Sequence, residues 1–146
     1  TDLYISLYIN SDNKYYIKKY NGLSWTNLAE FDDRVNSIVI NNGIMYIGGA
    51  FTTINGSPVL NYTAKYDLTS QSSSWLSLPN VTSNIIQSLC YLDGSIYAGG
   101  SNEFWSWNIQ SEIQTNLKGN LSAPSIYISS MTTDLINNII SQKVNS

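Results

Sequence analysis

Three carboxylates lie close together in the sequence and are the best candidates for a pair of catalytic acids. Glu30, Asp32 and Asp33 follow Trp25-Thr26-Asn27-Leu28 in a predicted loop. Glycoside hydrolysis needs two such groups about 5 Å, or about 6.5 to 9.5 Å, apart across a sugar. No second acidic residue is placed by the sequence to oppose these three, and adjacent loop aspartates more often face solvent or bind a cation weakly. The sequence leaves three functions open: a structural or protein-binding scaffold, a lectin and a glycosidase. A glycosidase that uses these carboxylates is the least favoured of the three.

Other familiar catalytic chemistry is limited by composition. The 146 residues include no His and one Cys. Ser-His-Asp catalysis, Cys-His catalysis and imidazole metal sites all need histidine. Cys90 lies in an apolar run with no nearby Lys or Arg to activate it, so we expect a small buried hydrophobic residue, with intermolecular pairing as the open alternative. We predict no enzymatic activity, no cofactor and no metal site.

The charge balance argues against polyanionic partners. Seven Lys and Arg stand against ten Asp and Glu, and charged residues make up 12% of the chain. A phosphate-binding surface for nucleic acid or anionic lipid needs the opposite excess. No run approaches the roughly 18 apolar residues of a membrane span. Because the chain starts at Thr1 without a basic and apolar leader, a processed product or a fragment is expected.

Four sequons permit glycosylation in a secretory context without establishing it. The chain contains 18 Asn and 22 Ser, so several sequons can arise by chance. The acceptor residues are Asn55, Asn61, Asn80 and Asn120.

An aromatic cluster, Phe104-Trp105-Ser106-Trp107, is the best candidate for a surface that binds a protein or a glycan. Such rings offer apolar area together with a polar tip. Strand alternation places Trp105 and Trp107 on one face, however, and burial in a core is the favoured interpretation for both. Trp25 and Trp75 recur at equivalent positions and are predicted to pack between structural units.

Three sequence markers recur in the same order, which indicates an internal repeat. Two of the pairs are 51 and 50 residues apart, and a third pair lies between them. The pairs are Asn42-Gly43-Ile44-Met45-Tyr46-Ile47-Gly48-Gly49 with Asp93-Gly94-Ser95-Ile96-Tyr97-Ala98-Gly99-Gly100, Trp25-Thr26-Asn27-Leu28 with Trp75-Leu76-Ser77-Leu78, and Ile17-Lys18-Lys19-Tyr20-Asn21 with Thr63-Ala64-Lys65-Tyr66-Asp67. A weaker third copy includes the aromatic cluster but lacks the Trp of the Trp-x-x-Leu marker.

Each repeat predicts four short antiparallel strands. Asn42-Gly43 and Asp93-Gly94 are strong signals for two-residue hairpin turns, because both central residues need positive φ. The glycine pairs that follow predict close backbone approach or a bulge. Four strands in about 40 to 50 residues is the period of a β-propeller blade. Residues 132–144 fit either a helix or a hairpin, and both interpretations stay open.

The residues Tyr66-Asp67, Trp75-Leu76-Ser77-Leu78-Pro79 and the segment 88–100 together resemble a kelch-type repeat. The segment 46–56 is similar to the Gly-Gly-x-Phe-Thr repeats of large extracellular and cell-surface propeller proteins. The resemblance implies the fold of the galactose-oxidase-like propellers without their metal site, since that site needs histidines. Ser6-Leu7 stands where the first glycine pair should be. The family is a scaffold, so the resemblance implies no activity.

The sequence therefore predicts a single all-β segment over 1–146, with repeats at 1–42, 43–94 and 95–146. It would form about three kelch-like blades, each an antiparallel four-stranded sheet. Residues 1–5 match a second strand and residues 125–128 a first strand, which predicts a staggered arrangement of the ends. Because known propellers have roughly four to eight blades, a longer chain or an oligomer would complete the ring, and the longer chain is slightly favoured.

The predicted function is a non-enzymatic structural or protein-binding scaffold at an extracellular, cell-surface or virion-surface location. Its partner would be a protein or the remaining blades, with a glycan as a further possibility. A carbohydrate-binding lectin is the alternative.

Overall fold

The computed structural model describes residues 1–59, 62–79, 84–122 and 125–133, and the prediction of an all-β chain is confirmed there. The only helix in these ranges is a short 3₁₀ helix at Lys118–Leu121. The strands are β1 (Leu3–Ile9), β2 (Lys14–Tyr20), β3 (Trp25–Phe31), β4 (Val35–Asn41), β5 (Ile44–Gly49), β6 (Thr53–Ile54), β7 (Ser57–Pro58), β8 (Thr63–Asp67), β9 (Leu76–Ser77), β10 (Ile86–Leu92), β11 (Ser95–Gly100), β12 (Glu103–Asn108) and β13 (Gln114–Asn116).

These strands form three antiparallel sheets in succession along the chain. The first sheet has the order β1-β2-β3-β6-β7, the second β4-β5-β8-β9 and the third β10-β11-β12-β13. The hairpin β6–β7 leaves the second sheet and pairs with β3 of the first. In the described residues, no strand of the first sheet pairs with a strand of the third. The predicted repeats 1–42 and 43–94 thus each end just after the first strand of the following sheet.

The predicted hairpin turns are present between β4 and β5 and between β10 and β11. Asn42 and Gly43 have φ of 49° and 78°, and Asp93 and Gly94 have φ of 45° and 78°. Side chains rarely adopt these angles, which explains the Asn-Gly and Asp-Gly choice.

The glycine pairs permit close approach inside each sheet. A Cβ built on Gly49 would lie 2.2 Å from the carbonyl oxygen of Arg34, and one on Gly100 would lie 2.2 Å from that of Ile85. Both glycines sit where the first strand of the sheet is bulged. The second and third sheets therefore share the same register at this point, and the predicted role of the glycines is confirmed.

Two hydrophobic cores lie between the three sheets. The first core lies between the first and second sheets and includes Ile17, Phe31 and Met45. The second core lies between the second and third sheets and includes Tyr46 and Trp107. Because Met45 and Tyr46 are consecutive and point to opposite faces, the second sheet is covered on both sides.

The first strands β4 and β10 make the same polar contact with the segment of chain that follows their own sheet. The Leu89 N–H donates to Ser37 Oγ over 2.9 Å, and the Met131 N–H donates to Ser88 Oγ over 2.9 Å. A bridge between Ser101 and Tyr127 holds the same terminal segment. Residues 125–133 therefore lie on the third sheet much as β10 lies on the second. None of the helices in the described ranges is long and apolar enough to cross a bilayer.

Candidate interaction surfaces

One face of the first sheet carries an exposed apolar row, which we call the end face. Leu3 pairs with Tyr20, and Tyr20 pairs with Trp25, so these three side chains share one side of the sheet. Leu3 is 54% exposed and Trp25 is 46% exposed. The Trp25 ring stacks on Tyr20 with centroids 4.9 Å apart and planes inclined by 28°. Contiguous exposed apolar side chains of this kind make the end face a candidate interaction surface.

The turn beside the end face is held by one amide side chain. Asn21 Oδ1 accepts the N–H groups of Leu23 and Ser24, each over 2.9 Å. These bonds fix the entry of β3 and therefore the position of Trp25. They also present Leu23, which is 92% exposed, at the rim of the end face.

The matching row of the second sheet is covered, with Met45 fully buried and Tyr66 and Trp75 partly buried. Met45 pairs with Tyr66, and the Tyr66 ring lies 4.9 Å from that of Trp75. Trp75 also packs edge-on against Phe31 of the first sheet at 5.9 Å. Trp75 thus packs between sheets as the sequence predicts. Trp25 is half exposed because no described residue covers the end face.

The aromatic cluster of β12 is divided between two faces. Trp107 is 1% exposed and packs on Tyr46 at 6.0 Å, with Lys65 Nζ 5.0 Å from its ring centroid. Trp105 is half-buried on the same side, and its Nε1 donates to the carboxylate of Glu103. Phe104 points to the other face of the third sheet, 6.4 Å from Tyr97. The three rings therefore do not form one surface.

The three candidate carboxylates each have a structural partner, and Glu30 lies in β3, so the prediction of a loop is wrong for this residue. Glu30 pairs with Lys14 at 2.6 Å, and Asp33 lies 3.8 Å from Arg34 Nη1. Asp32 Oδ1 accepts the N–H groups of Thr52 and Thr53, each over 2.8 Å, and Oδ2 accepts the hydroxyl of Thr52. Burial raises the pKa of the Asp32 carboxyl, but these hydrogen bonds outweigh it and hold the pKa below its ordinary value. They stabilise the loop between β5 and β8.

A cleft of about 390 Å³ lies beside the second core, where Ile44, Leu76 and Ile109 supply apolar walls. Its two charged side chains are engaged. Lys65 lies over Trp107, and the Asp67 carboxylate accepts the Thr69 hydroxyl and N–H, which lower its pKa. Within the described ranges, no group of three His, Cys, Asp or Glu could hold a metal ion.

Cys90 is half-buried on β10, and burial raises the pKa of its thiol. A thiol of this kind is a poor nucleophile. It lines a groove together with Leu89 and Met131.

Two of the sequon asparagines, Asn55 and Asn120, are exposed, whereas Asn61 and Asn80 lie outside the described residues. Asn55 also has a structural role that the sequence analysis missed. Its Oδ1 accepts the Glu30 N–H over 2.9 Å, and its own N–H donates to the Glu30 carbonyl over 2.8 Å. Asn55-Gly56 is the same dipeptide signal as Asn42-Gly43, and it forms the turn of the crossing hairpin β6–β7. That signal could have identified the hairpin.

No protein-family model, curated protein or solved structure matches this chain. The kelch-type resemblance therefore rests on the repeated residues of the sequence alone.

Proposed function

We propose that residues 1–133 form three consecutive blades of a β-propeller that acts as a non-enzymatic, protein-binding scaffold. The observation that carries the proposal is the repetition of one sheet-to-sheet contact. Ser37 and Ser88 accept backbone N–H groups from the following first strand in the same way. Repeated sheets that bury one another face to face are the structural principle of propellers.

The exposed apolar side chains of the end face support the proposal that the partner is a protein. Its counterpart on the second sheet is covered completely at Met45, which is 0% exposed, by apolar side chains of the first sheet. The same row on the first sheet ends in exposed Leu3 and Trp25. An apolar sheet surface of matching shape would cover it, whether from further blades or from another protein.

A lectin is the second candidate, since the exposed Trp25–Tyr20 stack could lie against a sugar ring. Sugar recognition also needs polar groups around the ring to bind hydroxyls. The side-chain oxygen Oδ1 of the adjacent Asn21 already accepts two backbone N–H groups. The end face therefore favours a protein. The proposed location is extracellular, on a cell surface or on a virion surface, and the exposed sequons at Asn55 and Asn120 would be accessible to glycosylation there.

Dye titration into highly diluted protein tests the proposed scaffold. We expect an apolar fluorescent dye to bind the wild type and to bind Trp25→Lys several-fold more weakly. Ile40→Lys is the matched control, because Ile40 is 44% exposed on the covered second sheet. Its dye binding should equal that of the wild type.

Two results would contradict the scaffold. One is a wild-type protein that binds no dye at any dilution. The other is saturable binding on a glycan array that Trp25→Ala abolishes and Ile40→Ala preserves, which would establish the lectin instead.

A further inference from the structure

We infer that the end face docks onto the third sheet of a second copy of this chain, with residues 130–133 of that copy adding a strand to β1. The inference rests on the proposed blade repeat. It goes beyond that repeat by naming the occupant of the surface and the register of the contact.

The terminal segment already occupies the position of a first strand. A Cβ on Gly48 would lie 2.6 Å from Ile86 Cγ2, and a Cβ on Gly99 would lie 2.6 Å from Ile128 Cγ2. Ile128 thus stands against the third sheet as Ile86 stands against the second. The Met131 bond to Ser88, which matches that of Leu89 to Ser37, continues the same arrangement.

The strand β1 has the position of a second strand in its sheet. Leu3 pairs with Tyr20 as Met45 pairs with Tyr66, so Ser6 is equivalent to Gly48. Ser6 Oγ donates to the Val35 carbonyl over 2.8 Å, at the contact that Gly48 makes with Ile86. Among the described residues, β1 pairs with β2 alone. Its other edge is therefore open to a strand.

The repeat predicts the register of the added strand. In the second sheet Ser37 pairs with Gly48 and Ile38 with Ile47, and the third sheet repeats this at Ser88 and Leu89. The corresponding pairs between two copies are Ser130 with Ser6, Met131 with Ile5, Thr132 with Tyr4 and Thr133 with Leu3.

Leu7 limits this pairing to four residues. It is equivalent to Gly49, where a Cβ would lie 2.2 Å from a backbone oxygen of the paired first strand. A bulge of that kind cannot form opposite a leucine. Ile128 therefore stays against its own third sheet.

The two faces that meet are both present on one chain. Tyr97 occupies the position of Tyr46, which packs on Trp107, and Tyr20 occupies the position of Trp107. Tyr97 of one copy would thus meet Tyr20 of the other. Two copies joined twice in this way would hold six sheets, within the four to eight of known propeller rings.

Light scattering over a dilution series is the first test. We expect a wild-type mass near twice 16.3 kDa that falls on dilution. Trp25→Glu should weaken the association by about thirty-fold or more, the loss typical of a central aromatic anchor. Ile40→Glu, with the same added charge and similar exposure, should associate as the wild type does.

A disulfide tests the register. In a Cys90→Ala background, Ile5→Cys with Met131→Cys should oxidise to a covalent dimer, because directly paired residues have Cα atoms within disulfide reach. The control, Leu7→Cys with Met131→Cys, is two residues out of register and should not.

The outcomes separate this inference from the proposed function. A monomer at all concentrations, an intramolecular disulfide, or equal crosslinking of the control would overturn docking of a second copy. If dilute protein still binds dye through Trp25 in that case, the scaffold stands and its occupant is a different protein. If neither association nor dye binding occurs, both proposals fail.

Discussion

The first and second sheets have three equivalent strands, β1-β2-β3 and β5-β8-β9, and differ in how the equivalent residues on them are covered. Met45 is 0% exposed, whereas Leu3 at the same position is 54% exposed. Trp75 packs against Phe31, whereas Trp25 contacts Tyr20 of its own sheet. The Trp-x-x-Leu motif is present in both sheets, so the environment of each tryptophan sets its role. The same pattern produces a core in one sheet and an exposed apolar face in the other.

The largest effect is expected at the glycine of the second sheet. Gly49→Ala should lower the free energy of unfolding by about 3 kcal/mol, because the new Cβ would lie 2.2 Å from the Arg34 carbonyl oxygen, which accepts the Ala50 N–H. Urea denaturation measures this change. Gly119→Ala is the control, since nothing lies within 4 Å of its Cβ position, and it should have almost no effect. Equal stability of Gly49→Ala and the wild type would refute the close approach of β4 and β5.

The two tryptophans provide the next comparison. Trp75→Ala should cost about 3 kcal/mol, because it opens a cavity between the first and second sheets. Trp25→Ala should cost about 1 kcal/mol, the value of an aromatic pair at the surface. The comparison needs urea denaturation of diluted protein, so that association does not contribute. Similar losses in both variants would mean that the end face is covered within the monomer.

The smallest of the three effects is expected at Asp32, in the loop that joins β3 of the first sheet to β4 of the second. Asp32→Asn should lower the free energy of unfolding by about 1 kcal/mol at neutral pH, because hydrogen bonds to a charged acceptor are weakened. The folded pKa of Asp32 is depressed, so its contribution is complete above the unfolded pKa, near 4. It is lost as pH falls through the folded pKa.

Urea denaturation between about pH 6 and 2 measures this dependence. The wild type should lose stability more steeply than Asp32→Asn in the acidic range. Asp33→Asn is the matched control, since Asp33 lies near Arg34 at the surface. Parallel pH profiles for the wild type and Asp32→Asn would show that the carboxylate contributes nothing through its charge.

The hairpin turns and glycine pairs of the repeats were predictable because each depends on the backbone angles and close contacts of a few neighbouring residues. Asn42-Gly43 and Asp93-Gly94 identify hairpin turns by backbone angle alone. The glycine pairs identify close contacts because no other residue fits. Exposure was less predictable, since it depends on whether a neighbouring sheet is present. Trp25 carries the same local signal as Trp75 and has a different environment.

The candidate site was harder to predict from the sequence. The cluster at 104–107 is continuous in sequence, but alternation along β12 sends Phe104 away from Trp105 and Trp107. The end face joins Leu3, Tyr20 and Trp25 from three strands, and only the register between those strands brings them together. The alternatives for residues 132–144 fall mostly outside the described residues.

The crossing hairpin β6–β7 has a consequence for how the molecule unfolds. In repeat arrays each unit contacts only its neighbours, and folding or unfolding can propagate from one unit to the next. Here part of the second repeat is hydrogen-bonded into the first sheet through the pairing of Ile54 with Phe31 and through Asn55. The first two sheets should therefore exchange their slowest amide protons as a single cooperative unit, while the third sheet opens at a lower free energy.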